Sequence, residues 1–401
     1  MPKKTIAQTD VAGKRVLVRV DFNVPLDGTT ITDDRRIRSA LPTIRSIVER
    51  GGRAILMSHL GRPAGTGYEE AMSLKPAAAK LGELLGKPVA FPSTDCTDDA
   101  THSAVNAMSD GDVLLLENLR FHKAEKKGDA TFAQSLARYA DVYVNDAFGT
   151  CHRPHASMVA VPNLLGGKPR VSGFLVEKEI KFLSEALASP EQPFVVVLGG
   201  AKVSDKLPAI HNLLPKADHI LIGGAMAYTF IKALGHEVGD SRVEEDKVAD
   251  AKSIIDAAAG SRVELHLPTD HVCSTQFSEV GGDVAVFTDH VDPGYMGLDI
   301  GPVTQGHYTA ILRTAKTVVW NGPMGVFEWA PYRVGTKTVA DACVQATEAG
   351  GTTIVGGGDS AAAAEKFEVA SKLTHVSTGG GASLEMLEGK KFEAVELLEE
   401  A

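Results

Sequence analysis

Short apolar runs recur along the chain, each followed by a polar or glycine-rich turn and then by apolar residues at helical spacing. Val16–Val20 leads into Asp21-Phe22-Asn23. Ile37, Leu41, Ile44 and Val48 then fall at i, i+4, i+7 and i+11, predicting a helix that opens near Thr32-Asp33 and stops at Gly51-Gly52. Ala54–Met57 precedes Ser58-His59-Leu60-Gly61-Arg62, Val113–Leu116 precedes Glu117-Asn118-Leu119-Arg120, and Val142–Val144 precedes Asn145-Asp146. The second half keeps this grammar with other turns. Phe194–Leu198 meets Gly199-Gly200-Ala201-Lys202, Ile220–Ile222 meets Gly223-Gly224-Ala225, Val318–Trp320 meets Asn321-Gly322-Pro323, and Thr353–Val355 meets Gly356-Gly357-Gly358-Asp359-Ser360. Strands apolar on both faces, alternating with helices, predict doubly wound parallel sheets in an α/β protein. Two domains are expected: 1–172 with 386–401, and 190–385, joined by a helix within 173–189. The tail 383–400 reads as helical and acidic.

A chain of 401 residues is too long for one ordinary core. Lys+Arg 41 against Asp+Glu 51 gives −10, which argues against nucleic-acid or anionic-membrane binding. The four cysteines, Cys96, Cys151, Cys273 and Cys343, form no CxxC pair, so a disulfide framework and a thiolate zinc site are not indicated. No apolar run suits a bilayer and no apolar segment follows the basic start, so the expectation is a soluble cytoplasmic protein.

In open parallel sheets, ligands bind beyond the carboxyl ends of the strands. In the first half these ends carry Asp21, Asn23, His59, Arg62, Arg120 and Arg153, with Arg36 on the first helix. Any one arginine is as readily a solvated surface charge; several on one edge suit a small, multiply anionic molecule. The second half's ends carry glycine instead, which lets backbone amides approach phosphate at a helix N-terminus. Gly356–Ser360 has that form, with Asp359 placed for magnesium, and Gly379-Gly380-Gly381 is a second such junction. Lys202 and Lys206, four apart on an expected helix start, are placed to face phosphates together.

Common nucleotide motifs mostly fail. There is no G-K-[ST], hence no Walker loop. Gly356-x-Gly358-x-x-Ala361 fits a relaxed dinucleotide pattern, but the following strand ends without Asp or Glu. A dehydrogenase would bind NADH, and a non-catalytic scaffold would bind ATP without turnover; the arginine set disfavours both. His152 and His155 flank Pro154, which removes a helical metal register. Trp320 and Trp329 are expected in the core.

The sequence resembles the phosphoglycerate kinase family. Asp21-Phe22-Asn23-Val24-Pro25, Arg36-Ile37-Arg38, Ser58–Pro63, Glu117–Phe121, Gly199–Lys206, Gly297–Pro302, Trp320–Pro323 and Gly356–Ser360 occur in the family's order over nearly the whole chain. The resemblance implies two Rossmann-like domains, joined by a helix and hinge, with the C-terminal tail returning to the first. It implies that Asp21, Phe22, Asn23, Arg36, His59, Leu60, Gly61, Arg62, Arg120 and Arg153 hold 3-phosphoglycerate or 1,3-bisphosphoglycerate. By the same likeness, Gly223, Gly224, Gly297 and Leu298 form the adenine pocket for ATP or ADP, Glu328 meets the ribose, and Asn321 is a further nucleotide-binding residue. Lys206, Gly357, Gly358, Asp359 and Ser360 would then meet its phosphates, with Mg2+ on Asp359. Arg36, Lys202, Lys206, Gly358 and Gly380 would surround the travelling phosphoryl group. The acceptor carboxylate is already ionised, so no general base is needed, and His59 is read as a hydrogen-bond donor. Departures are small: Ala225 replaces a common glycine, Cys151 and Pro154 flank Arg153 where alanines are usual, and Ser360 replaces a frequent threonine. A monomer with hinges at 145–192 and 378–390 is expected.

Overall fold

Five parallel strands order the first sheet as Val113–Leu115, Arg53–Met57, Arg15–Val20, Val142–Asp146 and Arg170–Ser172. The chain starts mid-sheet, winds outward on one side, and returns to build the other. Winding therefore reverses between Arg15–Val20 and Val142–Asp146, where an open sheet leaves a crevice at its carboxyl edge. The helix Arg35–Glu49 packs on this sheet through Ile37, Ala40, Ile44 and Ile47, while Leu41 and Val48 lie half-buried at the stripe's margin. It begins later than expected, because the Asp33 carboxylate accepts the Arg35 amide at 3.0 Å and holds Thr32-Asp33 outside the helix.

The second sheet is also parallel, in the order Glu264–His266, His219–Ile222, Phe194–Leu198, Thr317–Asn321, Thr352–Val355 and His375–Val376. Its reversal lies between Phe194–Leu198 and Thr317–Asn321. Val195, Val197, Val318 and Trp320 bury one face beneath the helices Pro302–Leu312 and Val334–Glu348. A small antiparallel sheet of Val284–Thr288, Asp270–Ser274 and Met296–Ile300 interrupts the α/β order. Sequence periodicity missed it, since Val284–Thr288 alternates between half-buried and exposed positions rather than forming an apolar run.

This computed structural model describes residues 2–401, and it divides into two units. One extends to Lys181 and takes in Lys391–Ala401; the other is Phe182–Lys390. The division falls inside the helix Phe174–Ala188, whose start is anchored by Leu175 N donating to Asp146 Oδ1 at 2.9 Å. The expected helix over 383–400 is instead two pieces, Gly380–Leu387 and Glu393–Glu396. Gly389 at φ 83 ends the first, a backbone state that costs a side-chain-bearing residue energy. The tail then returns to the first sheet, with Glu399 N donating to Arg170 O at 2.8 Å. Among the described residues, no helix is long and apolar enough to cross a membrane.

Candidate active site

The loops beyond the first sheet's carboxyl edge are tied together by side chains. Asp21, 7% exposed, accepts from Arg36 Nη1 at 2.7 Å and from Asn23 N at 3.2 Å. Asn23 Oδ1 accepts from Gly61 N at 2.8 Å, and Phe22 N donates to Ser58 Oγ at 2.8 Å. Asn118 clamps the other flank: its Oδ1 accepts from the amides of Leu60 (3.2 Å) and Arg120 (3.0 Å), and its Nδ2 donates to Leu60 O at 2.8 Å. The side chains of Phe22 and Leu60 are buried in the core, so these two residues offer only backbone to a ligand.

Positive charge here exceeds what the fold neutralises. Arg120 donates from Nη1 to Gly61 O at 2.7 Å, yet its buried Nε has no partner. Burial, then the charges of Arg19 and Arg153, lower its pKa to about 10. Arg62 and Arg153 are exposed at the rim. Neighbouring cations with an unsatisfied donor form a surface that gains most from a bound anion.

Arg19, absent from the sequence-derived set, lies at the centre of this arrangement. It is wholly buried within an apolar strand, with Nε donating to Ser157 Oγ at 2.9 Å and Nη1 to the Val20 carbonyl. Ser157 Oγ in turn donates to Glu125 Oε1 at 2.6 Å. The signal was visible as a lone charge inside Val16–Val20, but its partners lie far along the chain.

In the second unit, loops cross tightly at the winding reversal. A Cβ on Gly199 would strike the Pro323 carbonyl, and one on Gly322 the Gly199 carbonyl, so both positions require glycine. Behind this crossing is a cavity of about 480 Å³, lined by Gly224, Ala225, Met296, Gly297, Leu298 and Val326. Glu328 also lines it, and Phe277 lies at 4.8 Å from the Trp329 ring. Gly223 packs against Met324 rather than facing the cavity. Trp320 is core, with Nε1 donating to Gly322 O at 2.8 Å, whereas Trp329 is half-buried.

A second cavity, about 600 Å³, shares Gly200, Ala201, Pro323 and Asp359 with the first, so the apolar slot continues into a polar one. Lys202, Lys206, Asn321, Gly357, Gly358 and Gly380 line it. Gly357 caps the helix Gly358–Lys366 at φ 94, reserved for glycine, and Gly380 opens the helix Gly380–Leu387. A Cβ on Gly380 would lie 3.9 Å from Gly358 N, so two helix N-termini converge. Ser360 is buried with its hydroxyl accepting from Gly322 N at 2.6 Å, which commits it to the loop.

The two lysines do not share a helix. The helix starts at Leu207, with Pro208 in its first turn, so Lys202 lies in the preceding loop, exposed, and Lys206 stands at the cap. Lys206 Nζ donates to Asn321 Oδ1, and burial lowers its pKa against the opposing charges of Asp205 and Asp359. Asn321 Nδ2 is buried with no partner.

An apolar slot opening onto paired helix N-termini and a half-buried lysine, at the reversal of a doubly wound sheet, defines a nucleotide-dependent phosphotransferase. The phosphoglycerate kinase family model matches residues 6–390. A phosphoglycerate kinase from Rhodopirellula baltica is 55% identical over 404 residues, covering 100% of both chains. One from Rippkaea orientalis is 51% identical over 403 residues, again covering 100% of each. The solved phosphoglycerate kinase of Coxiella burnetii superposes with a TM-score of 0.88 at 37% identity, covering 99% of this chain and 98% of that one. The chain belongs to the phosphoglycerate kinase family. It is a glycolytic kinase acting on small molecules, and its reaction moves a phosphoryl group reversibly between ATP and the carboxylate of 3-phosphoglycerate.

Proposed function

We propose that the transfer is carried out by two half-sites, one in each unit, without a general base. The observation that carries this reading is Lys206, half-buried against neutral Asn321 beside two converging helix N-termini. Such a cation is poised for phosphate oxygens, not for a structural ion pair. The adenine of ATP would occupy the slot between Gly224 and Leu298, with Glu328 near the ribose. The phosphates would extend past Asp359 to Gly357, Gly358 and Gly380, with Lys202 reaching in from its loop. Asp359 is a single carboxylate on the border of both cavities, which fits magnesium, an ion that takes one or two carboxylates plus phosphate oxygens. When bound, magnesium would neutralise phosphate charge there.

On the other unit, 3-phosphoglycerate would be held by Arg62, Arg120 and Arg153 through its phosphate, with Asp21, Asn23 and His59 orienting the glycerate. Its carboxylate oxygen forms the new bond to the γ-phosphorus as the bond to the ADP oxygen breaks, and no proton moves. Catalysis then rests on alignment and on cations, Arg36 and Lys206 among them. Near contact with little water requires the two ligands to meet, so hinge closure through 145–192 and 378–390 is part of the proposal. We further place the protein in the cytoplasm as a monomer; four buried free thiols support a reducing compartment. A coupled assay with 3-phosphoglycerate and Mg-ATP tests the whole reading, and absence of turnover would end it.

A further inference from the structure

Away from these half-sites, three histidines and a glutamate gather at the edge of the six-stranded sheet. Glu264 and His266 begin and end the outermost strand, and His219 opens the strand beside it. Parallel pairing sets Glu264 opposite His219 and His266 opposite Leu221. Residues two apart on a strand share a face, as do direct cross-strand partners, so all three side chains leave the sheet on one side. His307, from the helix Pro302–Leu312, meets them there.

The distances have the form of a coordination shell. His219 Nδ1 lies 3.1 Å from His266 Nε2, and Glu264 Oε2 lies 3.6 Å from each. A tetrahedral ion with bonds of about 2.0–2.1 Å keeps its ligand atoms about 3.3 Å apart, so one ion reaches all three without rearrangement. The carboxylate is too far from either nitrogen for a good hydrogen bond, yet it points at both. His307 Nε2 lies 3.0 Å from His266 Nδ1, which leaves His266 one ring nitrogen for an ion and one N–H for His307. Metal-bound imidazoles keep such an outer partner.

We propose that His219, His266 and Glu264 form a binding site for one zinc-class divalent ion, with His307 positioning His266 and a fourth position left to solvent. Two imidazoles and one carboxylate select zinc, cobalt or nickel over magnesium or calcium. The ion ties the outermost strand to its neighbour. Tyr308, beside His307, already bridges the same two strands, its hydroxyl donating to Ile222 O at 2.7 Å and lying 3.1 Å from His266 O.

The test uses the full chain, stripped with a chelator and kept in excess magnesium, then titrated calorimetrically with Zn2+ and spectroscopically with Co2+. One-to-one binding with a tetrahedral cobalt spectrum is expected. Affinity should fall about tenfold or more in His219→Gln and His266→Gln, and about tenfold in His307→Ala. Glu264→Gln should also weaken it, and this side chain, 67% exposed, contributes little to packing. Turnover without added zinc should be unchanged in all four variants. Wild-type protein that fails to bind, or variants that bind as tightly as wild type, would overturn the site. So would a cobalt–thiolate band, which would assign binding to Cys96 beside Asp95 and His122.

Discussion

Arg19 Nη2 lies 3.0 Å from Nδ1 of His59, both residues being buried. A guanidinium can only donate, so Nδ1 must accept and the ring proton resides on Nε2. The imidazole is thereby held as a neutral donor at the carboxyl edge of the first sheet. Burial comes first, followed by the charges of Arg19, Arg120 and Arg36, in holding its pKa well below the ordinary value.

His59 should therefore remain the neutral Nε2–H tautomer as pH falls through 6.5, followed by 15N NMR. In the unfolded chain it protonates near 6.5. The folded state resists that proton, so the stability associated with neutral His59 is complete above pH 6.5 and is lost as pH falls below it. His59→Gln should flatten the decline of Tm in that range. A ring that titrates near 6.5 in the native protein would refute the tautomer assignment.

Arg36 and Arg62 should separate kinetically. Arg36→Ala should lower kcat by about 10²-fold, as expected for a group that acts on transition-state charge. Arg62→Ala, at the exposed rim, should first raise KM for 3-phosphoglycerate. An equal loss of ATP affinity in Arg62→Ala would contradict separate half-sites.

Lys206→Ala should lower kcat by about 10²-fold, since it removes the half-buried cation beside Gly358 and Gly380. Binding of 3-phosphoglycerate alone, measured by calorimetry, should be unchanged. A Lys206→Ala enzyme with normal turnover would remove Lys206 from the phosphoryl path.

Gly297 tests the apolar slot. A Cβ there would collide with the Tyr228 hydroxyl, which is buried behind it. Gly297→Ala should raise KM for ATP about tenfold, roughly 1.4 kcal/mol, and leave KM for 3-phosphoglycerate unaltered. Unchanged ATP kinetics in this variant would place adenine elsewhere.

Small-angle scattering checks closure. The radius of gyration should fall only when 3-phosphoglycerate and a nonhydrolysable Mg-ATP analogue are both present. Constant dimensions under every ligand condition would count against a hinge.

Strand ends were legible locally: a run such as Phe194–Leu198 followed by Gly199-Gly200 announces both the strand and where its ligand edge begins. The arginine character of one half and the glycine character of the other followed directly, as did the family motifs. What the chain order could not express was proximity across crossovers. Arg19 reads as an interruption of a strand until strand pairing brings His59 and Ser157 to it. Lys202 and Lys206 look like one helical face until Pro208 delays the helix. Gly358 and Gly380, and likewise His219, Glu264 and His266, become neighbours only through strand order and register. Local periodicity depends on the backbone's own geometry, whereas these meetings depend on which strands lie side by side, a choice made by burial of the whole core.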